Sequence, residues 1–410
     1  MENTETDPKI KPIKGRRSGD SNLQIRVAET AREKNAVYRF RYNVYVDEMG
    51  KSLSYADHKQ KMLKDDLDDS AELFMAIFNT DVIATARLNH GDVTEFNQYW
   101  RDIYKLDQWD EFPARAVTVN SRLMVAEDWR GTAILGNLVQ ELFRHLRIRG
   151  VRFSFLTCAP SLLEFYEQLG YRRYTDGYVD DDVGYLVPVV FVLEDAAYMK
   201  LVHSPFRRVA REYKADSSGS EWLEDHFPEH TAHINKRLID HENFWDILEN
   251  NLHTDPINSI GLLANLDEDE AKDFLNTGTI LPCKEGDLII RPGDVGDEMF
   301  VVLEGVAEVW GGTEERPLSM ALLGPGQVFG EIAFVSKVPR TAKVVANTDM
   351  KLLLLTQTFF NKAMKNMPSI VAKVLLNLSV VLCERLKGRT DSWVEAVMAN
   401  EDSEINPKIK

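Results

Sequence analysis

The sequence predicts an α+β protein built from two modules, and three observations carry that prediction. Between residues 23 and 205, strand-like runs and amphipathic helices are interposed, as in a mixed layered domain. Between 284 and 310, strands are short and punctuated by Pro and Gly, which suggests a small β-roll or barrel. Segments of helical spacing, 257–277 and 358–387, flank that second pattern.

In the first module, residues 22–29 read as a strand and 31–48 as a helix. Residues 73–78 and 82–87 read as paired strands around Asn79-Thr80-Asp81, and 116–126 as another strand. Residues 132–149 form an amphipathic helix whose apolar face holds Leu138, Val139, Leu142, Phe143 and Leu146. A buried strand at 151–158, a short helix at 161–169 and a last strand at 186–194 complete a domain expected to end near 205. Residues 206–255 are charged and His-rich, with helical periodicity from Trp222, and are expected to be a helical connector. His226 and His230 stand at i and i+4, a spacing that can place two imidazoles on one helix face. Pro228 lies between them and no Cys or spaced acid completes a set, so an exposed polar helix and no metal are expected. In the second module, 287–291, 299–303, 305–310 and 342–346 read as strands, placing that domain at 256–390. Residues 1–22 and 391–410 are expected to be polar tails.

Composition narrows the function classes. A chain of 410 residues with 44% hydrophobic and 28% charged residues is ordinary globular material for two or three domains. Its net charge of −16 argues against a general nucleic-acid binder, which needs a basic face to neutralise phosphate. Cys158, Cys283 and Cys383 are widely spaced, give neither metal spacing nor an even disulfide framework, and point to a reducing cytoplasm. No apolar run approaches the ~18 residues of a membrane span.

The densest chemical signal is Phe329-Gly-Glu-Ile-Ala-Phe-Val-Ser-Lys-Val-Pro-Arg-Thr-Ala342. Gly324, Gly326 and Gly330 let the backbone approach a ligand and point N–H groups at an anion. Glu331 is an acceptor suited to a sugar hydroxyl, and Arg340 offers a fork of donors matched to a phosphodiester. This order and spacing resembles the cyclic-nucleotide-binding domain of catabolite-activator-like regulators, cyclic-AMP-dependent kinase regulatory subunits and gated channels. The resemblance implies a nucleotide pocket of Phe329, Gly330, Glu331, Ile332, Ala333, Arg340 and Thr341. A hydroxyl at Thr341 could reach a guanine edge or the phosphate, and cyclic AMP and cyclic GMP both stay open as effectors.

In the first module, a strand carrying Arg122-Leu123-Met124-Val125 leads through a polar turn to Arg130-Gly131-Thr132-Ala133 and a helix. Free N–H groups at such a helix start can cradle a pyrophosphate or a phosphopantetheine phosphate. Leu163-Glu-Phe-Tyr-Glu-Gln-Leu-Gly-Tyr171 follows. The pair resembles the GNAT acyltransferase superfamily. That implies a splayed strand whose backbone polarises a thioester carbonyl, with Tyr166 protonating the sulfur leaving group; packing in an aromatic core is the plainer role for Tyr166. Where the family loop ends in glycine and glycine or alanine, this chain has Ala133 and Leu135, with Gly136 one place later.

Tyr38-Arg-Phe-Arg-Tyr-Asn-Val-Tyr-Val-Asp-Glu-Met49, with Asp65, Asp68 and Ala84-Thr-Ala-Arg-Leu88, resembles acyl-homoserine-lactone synthases and related N-acyl amino acid synthases. Arg41, Asp65, Asp68, Arg87 and Arg122 fall on matching positions. Val119 stands where a lactone synthase has Glu, so N-acyl transfer to an amine is retained and lactone formation is not. The resemblance implies Arg41 and Arg87 as acceptor-binding residues. Asp65, Asp68 and Glu48 are candidates to hold an ammonium or, through water, take its proton, and each can equally be a surface carboxylate. Residues 130–173 hold seven arginines against three glutamates, a basic island suited to an acidic acyl carrier protein or to the phosphates of CoA.

The expectation is therefore a cyclic-nucleotide-regulated transferase moving an acyl group from a carrier-protein or CoA thioester to an amine. Two other readings stay open: a regulated protein-lysine acetyltransferase, and a non-catalytic sensor with a degenerate transferase domain. Acceptor, acyl length and oligomeric state are not encoded in these motifs.

Overall fold

The computed structural model describes residues 23–180, 182–228, 230, 241–275, 279–313 and 315–405. It divides into two compact units, Met1–Leu238 and Ile239–Lys410.

The first unit begins with β1 (Leu23–Val27) and α1 (Ala31–Tyr42). Thr30 caps α1 in a reciprocal box with Glu33, satisfying two backbone donors. The helix then widens into a π-helical turn over Asn43–Glu48, where Met49 N–H reaches back to Val44 O. This is one finer feature inside the helix expected over 31–48. Next come β2 (Glu72–Phe78), β3 (Asp81–His90), α2 (Gln98–Tyr104) and β4 (Val117–Val125). They are followed by α3 (Ile134–Arg149), β5 (Phe153–Cys158), α4 (Leu163–Leu169), β6 (Arg172–Arg173), β7 (Tyr178–Asp180) and β8 (Gly184–Val192). The sheet runs β1-β2-β3-β4-β5-β8-β6, with β7 on β8, and its one parallel pair is β4–β5.

The two faces of that sheet differ. On one, Leu73 and Met75 of β2 pack with Val37 and Tyr38 of α1. On the other lies α3, with the apolar stripe Leu138, Val139, Leu142, Phe143 and Leu146 buried as expected. Gly150, at φ 81°, ends α3 in the left-handed conformation that most side chains avoid.

After α5 (Ala196–Leu201), the stretch expected to be a connector is divided. Helix α6 (Ser218–His226) brings Trp222 and Phe227 onto Trp109, Phe153 and Tyr174 of the first unit's core. Helix α7 (His241–Leu252) buries Phe244, Trp245 and Leu248 in the second unit's core. The physical reason is apolar area: the four rings of Trp222, Phe227, Phe244 and Trp245 are too costly to leave in water. Part of the connector, 231–240, lies outside the described residues, as do residues 1–22 of the expected N-terminal tail.

The second unit continues with α8 (Glu268–Leu275) and then two four-stranded antiparallel sheets. One joins β9 (Thr279–Cys283), β11 (Glu298–Glu304), β14 (Val328–Phe329) and β16 (Met350–Thr356). The other joins β10 (Leu288–Ile290), β12 (Ala307–Thr313), β13 (Arg316–Leu323) and β15 (Lys343–Ala346). This is the expected β-roll. A short helix α9 (Glu331–Ser336) interrupts it, and α10 (Gln357–Asn366) and α11 (Pro368–Ile405) follow it. Pro368 opens α11, where a missing N–H costs nothing, and no proline interrupts it before Pro407. Its backbone therefore stays helical through much of the expected C-terminal tail.

Candidate active site and nucleotide pocket

The sheet of the first unit opens at its centre. Strands β4 and β5 pair only over Val117–Val119 and Phe153–Phe155. From Asn120 to Val125, β4 stays on β3 alone, while β5 continues beside β8 to Cys158. On the β3 side the register slips between Thr85 and Arg87, and Arg122 sits in the bulge at φ 55°. A non-glycine residue held there marks a position fixed by its surroundings.

Those surroundings are ionic. Asp65 caps the turn Asp66–Asp68, and Asp68 returns a bond from the Asp65 N–H at 3.0 Å, so the local sequence pins both carboxylates. Asp65 Oδ2 takes Arg122 Nη2 at 2.6 Å, and Asp65 also pairs with Arg87. Asp68 takes Arg41 at 2.7 Å and lies 3.4 Å from Arg87. Arg87 Nε donates to Ser121 Oγ at 2.8 Å. Burial pushes the Asp65 carboxyl up, but Arg87 and Arg122 outweigh it and hold it at about 2. The structure thus brings Arg41, Asp65, Asp68, Arg87 and Arg122 into one network. Arg41, Arg87 and Asp68 have side chains no more than 1% exposed, whereas Asp65 and Arg122 each keep 13%.

Arg122 is also flanked by two tyrosines that the motifs did not single out as site residues. Its guanidinium lies 5.4 Å from the Tyr45 ring and 5.3 Å from the Tyr55 ring, and it donates to Tyr55 Oη at 2.7 Å. Burial raises the Tyr45 phenol, yet Arg122 and Lys51 outweigh it and lower it below its ordinary value.

Across the opening, Tyr166 of α4 is 8% exposed and its hydroxyl has no hydrogen-bond partner among the described residues. Its ring packs edge-on against Phe165 and Tyr171. Burial raises the phenol well above its ordinary value, with Cys158, Tyr171 and Tyr45 adding to the shift, so it stays protonated. The Cys158 thiol is also raised by burial, which leaves it inert as a nucleophile.

The turn before α3 is exposed from Arg130 to Ala133. Arg130 pairs with Glu48 at 2.5 Å and donates to Val125 O at 3.0 Å, tying the π-helical turn to the end of β4. Gly131 adopts φ 75°, and Thr132 Oγ1 accepts the Ile134 N–H at 3.3 Å. Asn137 N–H already bonds Ala133 O, while the N–H groups of Leu135 and Gly136 have no acceptor among the described residues. A Cβ at Gly131 or at Gly136 would meet nothing within 4 Å, so the turn and the flank of the first helical turn are open. Met124 and Val125 are buried and Leu123 is half-buried.

The basic island is neutralised within its own unit. Arg130 pairs with Glu48, Arg144 with Glu141, Arg147 and Arg152 with Glu194, Arg149 with Glu72 and Asp92, Arg172 with Asp195, and Arg173 with Glu167. These pairs remove the argument that charge alone recruits a carrier protein. His226 stacks on Trp222 and His230 faces Asp176, so the two imidazoles do not converge.

In the second unit, Arg340 is 5% exposed and is held by backbone on both sides. Its own N–H bonds Asp294 O at 2.8 Å, and its carbonyl accepts the Gly293 N–H at 2.8 Å. Its Nη1 donates to Glu298 O at 2.8 Å and Gly330 O at 3.0 Å. Its Nη2 lies 2.9 Å from Glu298 Oε1 but out of line for a hydrogen bond. Burial raises the Glu298 carboxyl, opposed by Arg340. A Cβ at Gly330 would stand 2.8 Å from Arg340 Nη1, and one at Gly296 would stand 2.7 Å from Nη2, so both glycines permit the close approach.

Glu331 is 5% exposed and takes Arg385 of α11 at 2.8 Å; Arg385 also donates to Val328 O. Phe329 stacks on Phe300 at 4.9 Å, Ala333 is buried, and Ile332 and Thr341 are exposed. The cassette thus gathers Phe329, Gly330, Glu331 and Arg340. Glu298, Gly296 and Arg385 are partners that the motif did not reveal, because they lie 42 to 54 residues away along the chain.

Together these features define a class: an opened mixed-sheet domain of GNAT type, followed by a β-roll whose cassette buries Glu331 and Arg340. Comparison with known families names both halves. Residues 36–191 match the N-acyl amino acid synthase FeeM family, and residues 281–367 match the cyclic nucleotide-binding domain. The chain therefore carries an N-acyl amino acid synthase domain of FeeM type followed by a cyclic nucleotide-binding domain.

Among curated relatives, cGMP-dependent protein kinase 2 of Homo sapiens is 31% identical over 109 residues, 26% of this chain and 14% of the kinase. A cyclic nucleotide-gated potassium channel of Rhizobium etli is 38% identical over 89 residues, 22% of this chain and 24% of the channel. The chain thus spans less than a quarter of the length of either relative. A crystal structure of the Thermus thermophilus catabolite activator protein aligns with 34% of this chain and 63% of that one, at 26% identity and a TM-score of 0.31. No described helix is long and apolar enough to cross a membrane.

Proposed function

We propose that the first domain transfers an acyl group from a carrier-protein or CoA thioester to the amino group of an amino acid, under control of a cyclic nucleotide bound by the second. The single observation that carries this reading is the parting of β4 from β5 beyond Val119, opposite a protonated and unpaired Tyr166 hydroxyl. A pantetheine arm laid along β4 would find strand-edge donors for its amides and for the thioester oxygen. Its phosphate would lie at the open start of α3, on the Leu135 and Gly136 N–H groups, with Arg130 beside them.

The amine nitrogen attacks the carbonyl carbon, and the oxyanion that forms accepts backbone N–H donors. The C–S bond then breaks with its electron pair on sulfur, and the Tyr166 hydroxyl supplies the proton that makes the thiol. The phenolate recovers a proton from the ammonium that amine attack created, directly or through water. Asp68 is enclosed by Arg41 and Arg87, so of the three carboxylates Glu48 and Asp65 keep edges that reach solvent. Asp65, held at about 2, is a weak base; its role is to anchor Arg122. Among the network's arginines, Arg122 has the exposed edge that an acceptor carboxylate needs, while Arg41 and Arg87 build the floor beneath it.

In the second domain, Arg340 with its unaligned Nη2 takes the cyclic phosphate, and Glu331 takes the ribose hydroxyl by exchanging its bond to Arg385. The test is product identification. The full chain is incubated with long-chain acyl carrier protein or acyl-CoA and a panel of amino acids, then analysed by mass spectrometry. An amide product formed by wild type and lost in Tyr166→Phe supports the reading. Acylated lysine on added protein, without any N-acyl amino acid, would replace it with the lysine-acetyltransferase reading.

A further inference from the structure

On the sheet face opposite the Arg/Asp network, a second cluster of chemically capable side chains lies under α3. Leu73 and Met75 face α1, so by strand alternation Glu72 and Phe74 face α3. Glu72 pairs with Leu88 across the ladder, which makes His90 its diagonal neighbour on the same face. His145 of α3 completes the group, its ring edge-on to Phe74 at 5.0 Å. Glu72 Oε2 lies 2.6 Å from His145 Nε2 and 3.2 Å from His90 Nε2. One donor atom from each residue falls within 4.8 Å of the other two.

We infer that Glu72, His90 and His145 form a site for a divalent transition metal of the zinc class, with water as the fourth ligand. Two imidazoles and one carboxylate are a donor set that such ions take with an open position. Ligand atoms around a tetrahedral ion with bonds of about 2.0–2.1 Å stand about 3.3 Å apart. The Glu72–His90 separation already meets that spacing. The Glu72–His145 separation needs a small outward shift of His145, whose side chain is 33% exposed and has room to make it. His90 is 1% exposed and fixed in place, with its Nδ1 buried and lacking a partner.

The charged groups around the site are Arg149 of α3, 3.4 Å from Glu72 Oε1, and Asp92 after β3, 3.2 Å from Arg149. Arg149 orients the outer carboxylate oxygen, as second-layer partners of metal ligands do, while Asp92 shares its charge. No sequence spacing marks this group, because β2, β3 and α3 each supply one residue. A bound ion would clamp α3 onto the sheet. The competing arrangement is a plain triad in which both Nε2–H groups donate to one oxygen.

The experiment uses the full chain without a histidine tag, treated with chelator and dialysed. Zn2+ is titrated by calorimetry, and Co2+ by visible absorption. The proposal expects one equivalent of Zn2+, intense four-coordinate Co2+ bands, and a thermal midpoint raised by Zn2+. In His145→Ala and in Glu72→Gln, affinity should fall by more than the roughly 10–100-fold that loss of a second-layer partner costs. His145→Ala is half-exposed and on a helix, so its circular dichroism should match wild type. Absence of Zn2+ and Co2+ binding establishes the triad and overturns the proposal, as does binding of equal strength in both variants.

Discussion

Replacing Asp65 by Asn removes the carboxylate that anchors Arg87 and Arg122 while keeping its size. The magnitude follows from the geometry in two ways. The carboxyl is held at about 2 instead of 3.8, a shift that corresponds to about 2.5 kcal/mol of stability at neutral pH. Removing one partner of a buried ion pair costs roughly 3–5 kcal/mol, because the other charge is left behind. Both figures place the loss at about 2–5 kcal/mol, or roughly 5–15 °C of melting temperature for a domain of this size. Scanning calorimetry of the full chain over a pH series is the assay. Because the folded pKa is depressed, Asp65 stabilises the fold above its unfolded value of about 4. That contribution is lost as pH falls toward and below 2, where the wild-type carboxyl itself takes up its proton. The gap between wild type and Asp65→Asn should therefore be full at pH 7 and close toward pH 2. Equal stability at pH 7, or a gap that widens on acidification, would show that Asp65 does not anchor the two arginines.

Further predictions concern the two sites. Tyr166→Phe should leave melting unchanged, since the hydroxyl has no partner among the described residues, yet lower kcat by roughly 10²–10⁴-fold with KM little altered; steady-state kinetics decide it. Gly296→Ala drives a methyl to within 2.7 Å of Arg340 Nη2 and should weaken cyclic-nucleotide binding about 10–100-fold by calorimetry, with the fold intact. Arg385→Ala frees buried Glu331 from a partly exposed arginine, a pair worth up to about 1 kcal/mol, so nucleotide affinity should rise about 2–5-fold. Weaker binding in that variant would mean that Arg385 assists the ligand instead of competing with it.

What the sequence disclosed depended on how local each signal was. The α3 stripe and the order Gly330, Glu331, Arg340 lie within single elements or one loop, so periodicity and spacing were enough to find them. The bulge at Arg122 was hidden, because its left-handed φ is imposed by Asp65, Tyr45 and Tyr55, which come from other parts of the chain. Glu298 and Arg385 reach the cassette from β11 and α11, contacts that no motif encodes. Polar composition hid the packing of the stretch around Trp222 and Phe227: two large rings outweigh many exposed charges once a core is available. The basic island showed the converse, since arginines counted along the chain proved to be matched by carboxylates distant in sequence.

In the proposed function, a nucleotide held by Arg340 governs amide formation at the opened sheet. The most direct measurement is the initial rate of N-acyl amino acid formation by the full chain with and without saturating cyclic AMP or cyclic GMP, in wild type and in Arg340→Ala. One nucleotide should change the wild-type rate by roughly 5–150-fold, the usual range of such coupling, and leave Arg340→Ala unchanged. Amide formation at one rate in every condition would contradict it.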